Sequence, residues 1–311
     1  MILSASRRTD IPAFYSEWFF ERIKEGYFMV RNPMSPNQVS RVSLSPAIVD
    51  CIVFWTKNPR PMMDKLNELK AYNYYFQFTL NSYDTSLELN VPSKKYLIET
   101  FIKLSKAIGK EKVIWRYDPI VLTDVFNKEY HYKWFDYLAY KLSKYTDRCV
   151  ISFLDLYKKT ERNLRGINVK VITKLDMEEM ASELSKIASK YGLTIESCSE
   201  DIDLYKFNIK HGKCIDDKVI SKIIGSKVSI PKDINQREIC GCVKSVDMGA
   251  YNTCRHGCLY CYANYSEEAV SKNIMVHDKK SCFIIGKLTL KDKVSDRKDK
   301  VYTSTQIGFF D

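Results

Sequence analysis

Apolar residues along the first two hundred positions alternate between short, nearly continuous runs and longer stretches with helical spacing. The short runs, Ile2–Ser6, Asp50–Thr56, Tyr74–Leu80, Lys112–Asp118, Cys149–Leu154 and Leu193–Cys198, read as strands. Several are apolar on consecutive residues, which predicts parallel strands covered on both faces. Between them, Ser16–Glu25, Met62–Ala71, Lys95–Ile108, Tyr132–Lys144 and Met177–Tyr191 are amphipathic. In one of these, Leu97, Phe101, Leu104 and Ile108 recur at helical spacing. Such β/α alternation predicts the α/β class, as a parallel sheet or a partial (β/α) barrel.

The last third reads differently. Regular alternation stops from Ser199 to Lys244, apart from a helical run at Asp217–Ile224. Val243–Tyr251 reads as a strand entering a dense cysteine motif, and Ser266–Ser271 as a helix opened by acidic residues. The charged, alternating tail from Lys287 reads as a surface hairpin. The expected division is therefore barrel strands and helices over 1–198, a cysteine-rich segment over 199–244, a strand and cysteine loop over 245–271, and a tail over 272–311. In parallel barrels, functional polar groups gather where strands end. Here the exits carry Ser6–Asp10, Thr56–Pro59, Asn81, Trp115–Asp118, Asp155 and Glu196–Cys198, and the 157–176 loop is placed to overhang that mouth.

Composition narrows the class. With 45% hydrophobic, 28% charged and 13% aromatic residues in 311, the chain can bury a sizeable core, which excludes disorder. No stretch approaches the roughly 18 uncharged apolar residues of a membrane helix. Arg7, Arg8 and Asp10 interrupt the N-terminus before a signal core develops, so a cytoplasmic location is expected. Glycine is scarce, at 11 residues, and neither GxGxxG nor GxxxxGK[ST] occurs, which disfavours ordinary phosphate loops. The net charge of +11 admits an anionic partner such as nucleic acid. Its basic residues are nevertheless spread out, as on a solvated surface.

The ten cysteines are the unusual feature. In a reducing compartment they are thiols rather than a disulfide framework. Cys51 and Cys149 lie in apolar runs, as small core residues do. Cys282 reads as a core residue or, alternatively, a hydrogen-atom donor. Cys254, Cys258 and Cys261 form CxxxCxxC, with Tyr260 before the last cysteine. Three thiolates on a short loop can hold three corners of a 4Fe–4S cube. The fourth iron is then open to an external ligand, as at reactive metal centres. A zinc knuckle and a helical stripe of thiols are the competing readings, and His256 reads as a loop residue rather than a ligand.

This motif resembles that of the radical S-adenosylmethionine (radical SAM) superfamily. The resemblance implies a cluster whose open iron chelates SAM, and a 5′-deoxyadenosyl radical that abstracts hydrogen from substrate. Tyr260 would then lie near the adenine, and Gly257 would let the loop fold closely. Because the triplet comes late, the resemblance implies a circular permutation, with Val243–Tyr251 as the family's first strand and Ile2–Ser6 as its second. Residues 76–120, together with the preceding FWTKNP, resemble the middle of spore photoproduct lyase-like members. The SRRTDIP start, FWTKNP, WRYDP and the late CxxxCxxCYA are also similar to a bacterial and archaeal domain-of-unknown-function family.

Cys198, Cys214, Cys240 and Cys242 are candidates for an auxiliary 4Fe–4S cluster, with zinc as the alternative. Lys57 and Arg116 are candidate partners for the SAM carboxylate or ribose, through charge-assisted hydrogen bonds. Asp118 either orients Arg116 or forms its salt bridge. The implied partners are SAM, an electron donor such as ferredoxin or flavodoxin, and an unidentified substrate. Two alternatives stand beside this reading. One is a nucleic-acid repair or modification enzyme, and the other a non-enzymatic iron–sulfur or zinc sensor or scaffold.

Overall fold

The computed structural model describes residues 1–32, 34–155 and 158–303. The chain begins β1 (Ile2–Ala5), α1 (Ile11–Phe14), α2 (Ser16–Glu25), β2 (Tyr27–Asn32) and β3 (Ser35–Ser43). It continues β4 (Cys51–Thr56), α3 (Arg60–Met63), β5 (Tyr74–Thr79), α4 (Lys94–Ile108), β6 (Val113–Ile120) and α5 (Lys128–Leu142). Then follow β7 (Arg148–Phe153), α6 (Lys158–Asn163), α7 (Lys174–Lys190), β8 (Thr194–Ser197), β9 (Lys210–His211) and α8 (Asp217–Ile224). The last elements are β10 (Val246–Asp247), α9 (Glu267–Met275) and β11 (Lys293–Asp296). None of the described helices is long and apolar enough to cross a membrane.

Eight strands form one parallel sheet in the order β10-β1-β4-β5-β6-β7-β8-β9. Strand alternation sends its two faces to different partners. Val113, Trp115 and Tyr117 of β6 join Leu97, Phe101, Leu104, Phe135, Leu138 and Leu184 in the main core. Ile114 joins Cys51, Val53, Tyr75 and Val150 on the opposite face. There Ile215, Ile220, Val228, Ile230 and Val243 cover the sheet. The stretch that lacks β/α alternation is thus the lining of the second face.

Late strand β10 reaches the sheet by pairing with β1, Leu3 opposite Val246 and Ser4 opposite Asp247. Asp247 fastens the join. Its carboxylate accepts from Ser4 Oγ at 2.9 Å, Ser6 Oγ at 2.6 Å and the Arg7 and Gly249 amides at 2.9 Å each. A side chain at position 249 would place its Cβ 2.0 Å from Ser6 Oγ and 2.7 Å from Ser6 Cβ. Only glycine lets the chains approach this closely.

The structure departs from the sequence expectations in four places. Met62–Ala71 is α3 followed by a 3₁₀ turn, Leu66–Leu69. The tighter turn brings Leu66 and Leu69, three apart, onto the same buried face. The expected strand Val243–Tyr251 has ladder pairing only at Val246–Asp247, because Val243 bridges Lys232 instead. Among the described residues of the expected tail hairpin there is one strand, β11, pairing parallel with β3, and residues 304–311 lie outside them. Its partners β2 and β3 form an antiparallel pair that the apolar pattern did not announce.

His131 is fully buried under β6. Val121 carbonyl oxygen lies 3.0 Å from Nε2, so that nitrogen carries the proton, and Nδ1 accepts from Tyr117 OH at 2.7 Å. Burial holds the imidazole down at about 4 against an ordinary 6.5. As pH falls below 6.5, the unfolded chain takes up a proton that the folded ring refuses until about pH 4. Stability should therefore rise with pH through this window, by roughly 3 kcal/mol, and be flat above it. Denaturant titrations should show that His131→Gln removes this part of the slope. By the same measurement, Gly249→Ala should cost roughly 1–3 kcal/mol through overpacking.

Candidate metal centre

Beyond β10 the chain runs through turns and bends from 250 to 265, so the cysteine triplet lies on a loop and not on a helix stripe. The loop docks edge-on against residues 87–90. Leu259 N–H donates to Leu87 O at 3.0 Å, Asn90 N–H to His256 O at 3.0 Å and Asn90 Nδ2 to Arg255 O at 3.0 Å. Asn264 Nδ2 closes it by donating to Cys254 O at 2.7 Å. Gly257 has φ +63°, and a Cβ there would lie 3.0 Å from Asn90 Nδ2 and 3.3 Å from Leu89 Cβ. Glycine is needed for this docking.

Cys258 and Cys261 are close enough to raise the pKa of Cys254, and Cys261 that of Cys258. Burial first, then Asp10 and the other two thiols, push Cys254 well above the ordinary thiol range. Burial lifts Cys258 to about 12 although Lys57 pulls it down. Cys261 Sγ accepts from the Ala263 amide at 3.3 Å. Such a trio stays protonated at neutral pH unless a metal group displaces the protons. His256 is not a fourth donor through Nε2, which lies 2.8 Å from Asp10 Oδ2. The same oxygen accepts from the Lys57 amide at 2.7 Å, joining the β4 exit to the loop.

Tyr260 and Lys57 meet beside the triplet. Lys57 Nζ donates to Glu88 Oε1 at 2.7 Å and to Tyr260 OH at 2.9 Å. Asn81 Nδ2 donates to Tyr260 OH at 3.1 Å, and Tyr260 OH in turn donates to Glu88. Lys94 pairs with the other Glu88 oxygen. Burial alone would push the Glu88 carboxyl up, but Lys57 and Lys94 together hold it at about 2. Sequence reading missed Glu88 because it lies in a turn without periodic signal. Asp10 and Asp247 were likewise not singled out as fasteners.

Arg116 goes to the other thiol group. Its guanidinium pairs with Asp118, and Nη1 donates to Cys214 Sγ at 2.9 Å. Cys198 Sγ lies 3.0 Å from Cys214 Sγ. Cys242 Sγ accepts from the Ile215 amide at 3.4 Å and lies next to both Cys214 and Cys240. All four sequence-predicted cysteines are thus brought together. Among the described residues, no three His, Cys, Asp or Glu side chains are disposed to hold a single metal ion.

Residue 157, the first of the expected overhanging loop, lies outside the described residues. Leu164, Ile167 and Val169 of that loop pack with Tyr83, Leu87, Cys258 and Tyr260, roofing the triplet. Cys51 and Cys149 are fully buried in the core, as expected. Cys282 packs beside Met29, Val39 and Phe283, under the small sheet.

These features define an α/β protein with a thiol-rich site at the exits of a parallel sheet. The chain belongs to the family of the domain of unknown function DUF1848, whose model matches residues 2–263. That span closes two residues past Cys261, leaving α9 and β11 outside it. No curated protein matches the chain. A solved structure from Bacteroides thetaiotaomicron VPI-5482, assigned as an alpha-L-fucosidase, is 13% identical. The alignment covers 59% of this chain and 76% of that one, with a TM-score of 0.23, a likeness that carries no argument.

Glu88→Gln should leave Lys57 and Lys94 without their shared counter-charge. The expected loss is roughly 3–5 kcal/mol in unfolding free energy, read by denaturant titration. A loss below about 1 kcal/mol, as for a surface pair, would remove Glu88 as the anchor of the loop.

Proposed function

We propose that this chain is a radical SAM enzyme whose cluster is held by Cys254, Cys258 and Cys261. The observation that carries the reading is the docked loop itself. It gathers three thiols in CxxxCxxC spacing at the exit of a parallel strand, while the nearby His256 is occupied with Asp10. The donor set fits a 4Fe–4S group, which takes cysteine thiolates. When bound, such a cluster with one iron free of protein would ligate SAM and supply the electron for its reductive cleavage to a 5′-deoxyadenosyl radical.

The chain's own residues have separate tasks. Glu88, Lys57 and Asn81 fix the Tyr260 hydroxyl and so the last turn of the loop. The Ala263 amide supports the Cys261 sulfur. Leu164, Leu87 and Tyr83 cover the loop with apolar surface and limit water there. The order β10-β1-β4 supports a permuted barrel in which β10 is the first strand and β1 the second. Lys57 and Arg116 are both engaged within the protein, so SAM contacts by either would have to share those partners. A ferredoxin or flavodoxin is the proposed electron donor.

Anaerobically reconstituted protein with a reductant should release 5′-deoxyadenosine from SAM. Electron paramagnetic resonance of the reduced protein should change on adding SAM. Cys258→Ala should abolish both responses while circular dichroism stays unchanged. Reconstituted wild-type protein that shows neither response would overturn the reading.

A further inference from the structure

We propose that Cys198, Cys214, Cys240 and Cys242 form a second metal site, an iron–sulfur centre of net negative charge, with Arg7 and Arg116 as its charge-compensating neighbours. The site lies where β8 ends and where the 199–244 segment covers the sheet. Its backbone is fixed at each cysteine by groups other than sulfur. The Cys198 amide donates to Ile151 O at 2.9 Å, and the Cys240 amide to Arg237 O at 2.9 Å. Cys214 O accepts from Tyr75 OH and Gln77 Nε2, each at 2.8 Å. Cys242 O accepts from the Asp233 amide at 3.0 Å. The four thiols are therefore positioned by the fold, and their sulfurs lie in one contiguous chain.

Charge identifies what the group takes. Arg116 Nη1 donates to Cys214 Sγ at 2.9 Å, and Cys214 and Cys198 are, after Asp118, its main electrostatic neighbours. The Arg7 guanidinium lies within electrostatic reach of the Cys242 and Cys214 sulfurs and of Asp247. Arg7 has one ion pair among the described residues, to Asp233 at 4.0 Å, and its Nη2 is buried without a hydrogen-bond partner. The Trp55 ring serves both cations, with Arg7 at 5.5 Å and Arg116 at 5.3 Å from its centroid.

A buried guanidinium keeps its charge and is costly without a counter-ion. Asp118 and Asp233 supply one carboxylate each, and four thiolates around a cluster would add the further negative charge that neutral thiols do not. The single residue between Cys240 and Cys242 is a short bite for one zinc ion and suits adjacent corners of a cluster. This inference does not depend on the proposed SAM chemistry.

The test uses the full chain with Cys254, Cys258 and Cys261 all changed to alanine, reconstituted anaerobically with iron and sulfide. It should retain about four irons per chain, and reduction should give a paramagnetic signal that SAM leaves unchanged. In that background, Arg7→Gln should keep the iron and lower the midpoint potential, since reduction adds negative charge where a cation has been lost. A folded triple variant that binds no iron, one that binds zinc, or a potential unmoved by Arg7→Gln overturns the site. Should the triple variant not fold, iron in the wild-type protein decides. About eight per chain supports two centres, and about four overturns the second. Wild-type protein with about four irons that still releases 5′-deoxyadenosine would refute this site alone.

Discussion

The carboxylate of Asp247 ties the late strand to the first one, and the geometry of both thiol groups depends on that tie. Its four hydrogen bonds run to Ser4, Ser6, Arg7 and Gly249. On one side they set the start of the loop that carries Cys254, Cys258 and Cys261. On the other they fix the backbone of Arg7, whose guanidinium reaches toward Cys214 and Cys242. Tyr262 repeats the link from the far end, its hydroxyl donating to Arg7 O at 2.9 Å. Two regions about 240 residues apart in sequence thus share one rigid corner.

The sheet supplies the second constraint. One face is packed by helices and the other by a segment with little regular structure, so inward-facing side chains change character along each strand. Near the strand starts they are apolar, as with Cys51, Val53, Tyr75 and Ile114. Toward the exits they become Trp55, Gln77, Arg116 and Asp118. Gln77 and Arg116 are buried and bond to Cys214 of the cysteine segment, Asp118 pairs with Arg116 and with Ser152 of the neighbouring strand, and the Trp55 ring lies beside the Arg7 and Arg116 guanidiniums. Apolar burial in the lower layer stabilises the fold enough to carry the polar upper layer.

Much of this was legible in the sequence because it follows from periodicity. The six main strands lie close to their expected ranges, and α2 and α8 match theirs. The expectation that Asp118 orients or pairs with Arg116 came from their shared strand exit, and cysteine spacing marked both thiol groups. What escaped had no periodic signal. Glu88 sits in a turn, and its partners Lys57 and Lys94 are set by tertiary folding. Strand β11 is exposed at every residue, so hydrophobicity could not reveal it. The β3 run is interrupted by Pro36 and polar residues, with only Val39 and Val42 buried apolar positions. Val243–Tyr251 was overextended because an apolar run does not distinguish ladder pairing from close packing at Gly249.

The docking of the cysteine loop onto residues 87–90 has a consequence for biosynthesis. The chain leaves the ribosome amino end first, so β1, β4 and the 87–90 turn are made long before Cys254. The receiving surface can assemble while the cysteine loop is still unsynthesised. Contacts spanning some 170 residues close last and slowly, because they wait on most of the polypeptide. Any group those cysteines hold can then enter only a nearly finished scaffold, at the end of translation rather than during it.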